Sequence, residues 1–141
     1  MGMITLVYVS FATKVMSDEE LRDLLQVARE NNAELDVTGM LLYRDGFFIQ
    51  ALEGEEETVM SLYNKIKTDP RHRSVLQVYR ESVKNRSFEE WSMGFNKLES
   101  GSLEGIEGYT DFLKKPSANF FATNPNYAKM LLNMFRTRSY F

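Results

Sequence analysis

The spacing of apolar positions changes several times along this chain, and each change marks an element. Residues 4–11, ITLVYVSF, alternate as a strand, with Ile4, Leu6, Tyr8 and Ser10 on one side and Val7, Val9 and Phe11 on the other. Ser17, Asp18, Glu19 and Glu20 then read as a capping box with an acidic first turn. They open a helix whose apolar stripe is Leu21, Leu24, Leu25, Ala28 and Leu35, with Asn31 and Asn32 on or beside it. Thr38 to Tyr43 and Phe47 to Glu53 are β-rich runs joined by Arg44-Asp45-Gly46, a hairpin signal. A second helix starts in the acidic run Glu55 to Glu57 and presents Val59, Leu62, Tyr63 and Ile66. It stops before Asp69-Pro70, because a proline disfavours helical geometry in the residue before it. Val75 to Tyr79 predicts a fourth strand, and Trp91 to Leu98 a fifth with Trp91, Met93 and Phe95 on one face.

The order β-α-β-β-α-β predicts an α+β, ferredoxin-like sheet in which strands one and three are central neighbours and two helices cover one face. From residue 99 the composition turns to Gly, Ser, Glu and Asn, followed by Leu103, Ile106, Tyr109, Phe112 and Leu113. Asn124-Pro125 opens a last helix with Met130, Leu131, Met134 and Phe135. These segments predict two C-terminal helices over the opposite face. The expected division is therefore residues 1–98 as the main domain, and 99–141 as a helical extension for capping, oligomerisation and output.

With 141 residues, 43% of them hydrophobic, the chain suits one domain with a sizeable core. A net charge of -3 without a basic run argues against nucleic acid as a partner. The absence of cysteine and a single histidine, His72, argue against a metal site, a disulfide framework or thiol catalysis. The first residues lack the basic region of a signal peptide, and no apolar run is long enough to span a bilayer. The expectation is a soluble, cytoplasmic protein that makes no membrane contact.

One residue breaks the pattern. In GFFIQALEG, residues 46–54, Phe48, Gln50 and Leu52 share one face while Phe47, Ile49 and Ala51 share the other, so Gln50 is an amide inside an apolar strand. An unpartnered buried amide costs about 1 to 3 kcal/mol, so Gln50 needs a polar neighbour or a ligand. Tyr8 on the adjacent strand and Asn31 and Asn32 on the first helix can supply that neighbour. Tyr8, Asn32, Gln50 and Trp91 together suit a flat heteroaromatic ligand, held between the helices against Leu24 and Ile66 with its polar edge on the amides. A flavin has such an edge. The bland alternative is an ordinary core tyrosine, an asparagine helix cap and an amide bonded to a neighbouring carbonyl; by the same standard Arg71 and His72 read as a solvated loop.

These pieces resemble the BLUF domains, a family of blue-light sensors that use flavin adenine dinucleotide. The resemblance rests on LVYVS with Tyr8, the pair Asn31-Asn32, VTGMLLY at 37–43, FFIQALEG at 47–54, KIKTDPRH at 65–72 and FEEWSM at 88–93. It covers residues 3–98. Ala51 departs from the family pattern, where a larger or polar residue is frequent, as does Arg73, where some members have a second histidine. The resemblance implies a cofactor, FAD with FMN or riboflavin as alternatives, bound by Leu24, Asn31, Asn32, Phe48, Gln50, Ile66, Arg71 and His72. Gln50 would bridge Tyr8 to the flavin, Asn32 would hold its O4 and N3 edge, and Arg71 would reach the other carbonyl. It also implies that light draws an electron and a proton from Tyr8 and leaves the Gln50 amide rearranged, with Trp91 and Met93 reading the change.

Three other functions are weighed against this one. A hydrolase on the same fold wants an anion-binding nest after the first strand, and Ala12-Thr13-Lys14-Val15 lacks the glycines for it. A small flavin-dependent oxidoreductase needs room for nicotinamide, and no dinucleotide fingerprint is present. An RNA-binding module would bare aromatics on the open sheet face, which the last helices are expected to cover. Residues 99–141 are too few for a catalytic effector, so the expected protein is a photoreceptor and not an enzyme. Its output would run through a homo-oligomer or a separate downstream signalling protein.

Overall fold

The computed structural model describes residues 2–89, 91–98 and 125–134. Strand β1 (Met3–Ala12) leads to helix α1 (Asp18–Leu35), the hairpin β2 (Thr38–Arg44) and β3 (Phe47–Glu55), helix α2 (Glu56–Lys67), β4 (His72–Val83), β5 (Gly94–Lys97) and helix α3 (Pro125–Met134). The strands form one sheet in the order β4-β1-β3-β2-β5. Its pairs are antiparallel except β2 with β5, which run parallel, so the sheet is mixed. The ferredoxin-like α+β plan is present, with β1 and β3 at its centre.

Local chemistry fixes the turns. Ser17 caps α1: its hydroxyl accepts the Glu20 N–H and the Glu20 carboxylate accepts the Ser17 N–H, both at 3.2 Å. At the other end Asp36 takes the left-handed conformation at φ 55°, and Val37 returns its N–H to the Asn32 carbonyl at 2.9 Å. Asp45 and Gly46, at φ 46° and 87°, make the tight β2–β3 turn that needs two positive φ values.

The two sheet faces bury separate clusters. Leu6, Tyr8, Leu41, Phe48 and Leu52 pack with Leu21 and Leu25 of α1 and Val59 and Tyr63 of α2. On the opposite face Val7, Val9, Met40, Leu42, Ile49 and Ala51 pack with Ala128, Leu131 and Leu132 of α3. The last predicted helix thus exists and covers that face; the predicted helix before it lies outside the described residues.

Two expectations are corrected. Leu35, assigned to the buried stripe of α1, is 43% exposed, because the helix ends there and its last turn reaches beyond the sheet. The fifth strand starts at Gly94, not Trp91, so period-2 alternation does not extend back through residues 91–93. Trp91 accordingly packs on the α3 side while Met93 and Phe95 face α1 and α2.

The connection from β4 to β5 is anchored at several points. Glu53, fully buried, accepts the Thr5 hydroxyl at 2.7 Å and the Phe88 N–H at 2.8 Å. Arg86 donates to the Asp36 carbonyl at 2.7 Å and the Thr38 hydroxyl at 3.1 Å. These bonds deliver residues 91–93 to the end of α1.

Candidate functional site

A cavity of about 210 Å³ opens between α1 and α2 above β1 and β3. Tyr8, Leu24, Asn31, Asn32, Gln50, Ile66, Arg71, His72 and Met93 all line it, so nine of the residues singled out in the sequence meet at one place. Phe48 and Trp91 do not line it. Phe48 lies behind the wall, its ring centroid 5.0 Å from Tyr43 and 5.2 Å from His72. Trp91 sits across the sheet for the reason given above, and of the two residues it is Met93 that stands beside Gln50.

The centre of the site is a hydrogen-bonded chain. Tyr8 and Gln50 are register partners on β1 and β3, and the Tyr8 hydroxyl donates to Gln50 Oε1. Gln50 Nε2 in turn donates to Met93 Sδ at 3.3 Å. The strand amide therefore has a phenol on one side and a thioether on the other. Sulfur is a weak acceptor, so the second bond is the looser of the two.

Tyr8 is buried, and its ring lies 5.4 Å from that of Tyr63. Burial, with smaller contributions from Tyr63 and Asp69, holds its hydroxyl far above the ordinary phenol pKa. It is a neutral donor at every physiological pH. Asn32, also buried, donates Nδ2 to the Ser92 carbonyl at 2.8 Å. An amide has a second N–H and a carbonyl oxygen besides, and Asn32 is one of the residues that line the cavity. Asn31 is exposed and belongs to the rim.

At the other end Arg71 is held by Asp69, with Nη2 to Oδ2 at 2.7 Å and Nε to Oδ1 at 3.1 Å. That pairing brings the Asp69 carboxyl down to about 2. His72 Nδ1 meets the buried Ser10 hydroxyl at 3.0 Å, and burial lowers its pKa against the opposing pull of Asp69. Leu25, Val27, Ala28, Leu41, Leu52, Leu62, Lys65 and Asp69 complete the lining and were not foreseen. The helical spacing of Leu24, Leu25, Ala28, Asn31 and Asn32 carried that signal for α1, whereas Lys65 and Asp69 were marked only by their place at a helix end and within KIKTDPRH.

Apolar walls from both helices, a floor carrying Gln50 and Tyr8, and amides at one edge fit a flat ring system with carbonyl and imide groups. Among the described residues no cluster of acids and histidine is placed to hold a metal, and no helix is long and apolar enough to cross a membrane.

Comparison with known proteins points the same way. The family model described as BLUF, sensors of blue-light using FAD, matches residues 3–94. The photoactivated adenylate cyclase subunit beta of Euglena longa is 40% identical over 92 residues, which is 64% of this chain and 11% of that protein. The chain thus spans only a small part of such curated relatives. Among solved structures, BlsA in its photo-activated state is 31% identical at a TM-score of 0.76, covering 95% of this chain and 94% of that one. BlrB, a BLUF protein in its dark state, superposes at a TM-score of 0.77 over 96% of both chains, at 23% identity, a likeness of fold alone.

Proposed function

The chain belongs to the BLUF family, sensors of blue light using FAD, and from that membership we propose that it senses blue light through the Tyr8–Gln50–Met93 chain beside a bound flavin. The observation that carries this reading is the buried phenol donating to a strand amide that itself opens on the cavity. When bound, a flavin supplies absorption of blue light and, once excited, the pull of a strong oxidant. Everything else is done by this chain.

Leu24 and Ile66 would hold the ring between the two helices, while the amides of Asn32 and Gln50, which line the same cavity, would serve its polar edge. With a flavin bound, Tyr8 would give up an electron to it and, because a phenol becomes strongly acidic on oxidation, its hydroxyl proton as well. Gln50 Oε1 already accepts that proton's hydrogen bond, so the amide lies on its path. When Tyr8 recovers both, the amide is left with donor and acceptor re-sorted, and the weak bond to Met93 is the one that gives way. Met93 is the reader of that change; Trp91, on the far face, senses it only through the backbone of residues 91–93.

FAD is the first candidate for the cofactor, with FMN or riboflavin as alternatives, since the lining identifies a ring and not its tail. We assign output to a downstream protein or to self-association through residues 99–141. The support is limited to α3, whose Met130 and Met134 are 44% and 41% exposed one turn apart.

The test is an absorption spectrum of purified protein before and after blue light. The expected result is a yellow protein whose flavin bands move slightly to the red and return in darkness. A protein that takes up no flavin ends the proposal, and bleaching without a shift replaces it with reduction or adduct chemistry. Chromatography of the released cofactor identifies the flavin.

A further inference from the structure

Residues 91–93 carry the sulfur that Gln50 touches, yet they belong to no strand. Three consecutive carbonyls account for their position. The Trp91 oxygen accepts the Gly39 N–H at 3.0 Å, the Ser92 oxygen accepts Asn32 Nδ2 at 2.8 Å, and the Met93 oxygen accepts Arg29 Nε at 2.8 Å. The first bond comes from β2 and the other two from α1. Arg29 and Asn32 are three residues apart and so share one helix face. Together they hold both peptide units that flank Met93.

Resting on the reading of the cavity as a flavin site, we propose that Arg29 is a positioning residue: by gripping the Met93 carbonyl it keeps the Met93 sulfur on Gln50, and so sets how long the switched state lasts. A thioether accepts weakly, so the 3.3 Å contact with Gln50 does not by itself fix the segment. A guanidinium donating to a carbonyl makes a bond roughly twice as strong as a neutral pair. Its single Nε–H also fixes the plane of the group. Arg29 is half-buried, and burial lowers its pKa without discharging it, so the charge is kept where water screens it less. Arg29 does not line the cavity, whereas Asn32 does. Changing Arg29 therefore alters the grip and leaves the ligand contacts in place.

The test is amide hydrogen exchange on the full chain, unilluminated, in wild type and Arg29→Met. Methionine keeps most of the stem and removes every donor. The expected result is exchange at residues 92–96 about tenfold faster, as loss of one charge-assisted bond implies, with β1 and α2 unaffected. The red shift should keep its size while the lifetime of the shifted state changes severalfold. A 15N spectrum of wild type should show a slowly exchanging Arg29 Nε–H, a readout that survives even if the variant fails to fold. Unchanged exchange at 92–96, acceleration spread evenly over the chain, an unchanged lifetime, or an Nε–H exchanging like that of free arginine would each overturn the proposal. If wild type shows no red shift at all, the sensor reading fails, and the exchange data and the Nε–H signal still decide whether Arg29 grips Met93.

Discussion

The Tyr8 hydroxyl donates to Gln50 Oε1 between the two central strands, at a point where the two residues are also paired through their backbones. Backbone register therefore holds donor and acceptor together without help from a loop. It follows that Tyr8→Phe and Gln50→Leu should each fold and still bind flavin while losing the red-shifted state. Tyr8→Phe leaves the amide oxygen without its partner, at about 1 to 3 kcal/mol, which a denaturant titration measures. Normal photoconversion in either variant would show that the switch lies elsewhere.

Met93 and Trp91 differ in which face of the sheet they reach, so they should differ as mutants. Met93→Leu conserves volume and removes the sulfur. It should cost less than about 1.5 kcal/mol of stability and alter the lifetime of the shifted state. Trp91→Phe should leave both the size of the red shift and flavin affinity unchanged, since Trp91 packs against the α3 cluster and not the cavity. Absorption kinetics on the two variants separate the roles; an abolished shift in Trp91→Phe would contradict the placement described above.

The contrast between these two residues also shows where the sequence was legible. The Tyr8–Gln50 relation could be read because strand alternation, the Asp45-Gly46 turn and the β-α-β-β-α-β order all constrain it independently. The site's α1 wall was legible for the same reason, since helical spacing puts Leu24, Ala28, Asn31 and Asn32 together. Trp91 was misplaced because alternation was extended into residues whose conformation is set by tertiary bonds from Asn32, Arg29 and Gly39. Those partners lie 52 to 64 residues away along the chain, and no local pattern encodes them. Phe48 is a different case: its face was read correctly, but Tyr43 and His72 stand around it and it does not line the cavity.

His72 should make stability depend on pH near neutrality. Burial disfavours its imidazolium, Asp69 opposes that effect and Arg71 adds to it, so the folded pKa lies below the ordinary histidine value of 6.5. As pH falls through 6.5 the unfolded chain takes up a proton that the folded chain still refuses, and stability declines until the lower folded pKa is passed. Thermal melts should show wild type losing stability as the pH falls through about 6.5. His72→Gln should show a shallower decline over the same window, whereas equal slopes would mean that His72 does not titrate differently on folding.

Gly39 should tolerate no side chain. It faces the helical side of the sheet beside Met93, and its own N–H holds the Trp91 carbonyl. A Cβ built there runs into the Ala51 carbonyl oxygen and meets Met93 Cε at 3.1 Å. The sulfur's flexible methyl can yield, but the Ala51 backbone is fixed between β2 and β1. Gly39→Ala should therefore cost about 1 to 3 kcal/mol, the usual penalty for overpacking, and should also weaken the grip on residues 91–93. Gly94→Ala is the matched control: its Cβ meets Met40 Cε at 2.6 Å and Trp91 Cγ at 3.2 Å, which are side-chain atoms. The control should lose less stability in a denaturant melt than Gly39→Ala. A Gly39→Ala protein as stable as wild type, with an unaltered lifetime of the shifted state, would show that β2 and β3 can separate here and that the close approach of Gly39 to Ala51 is not required.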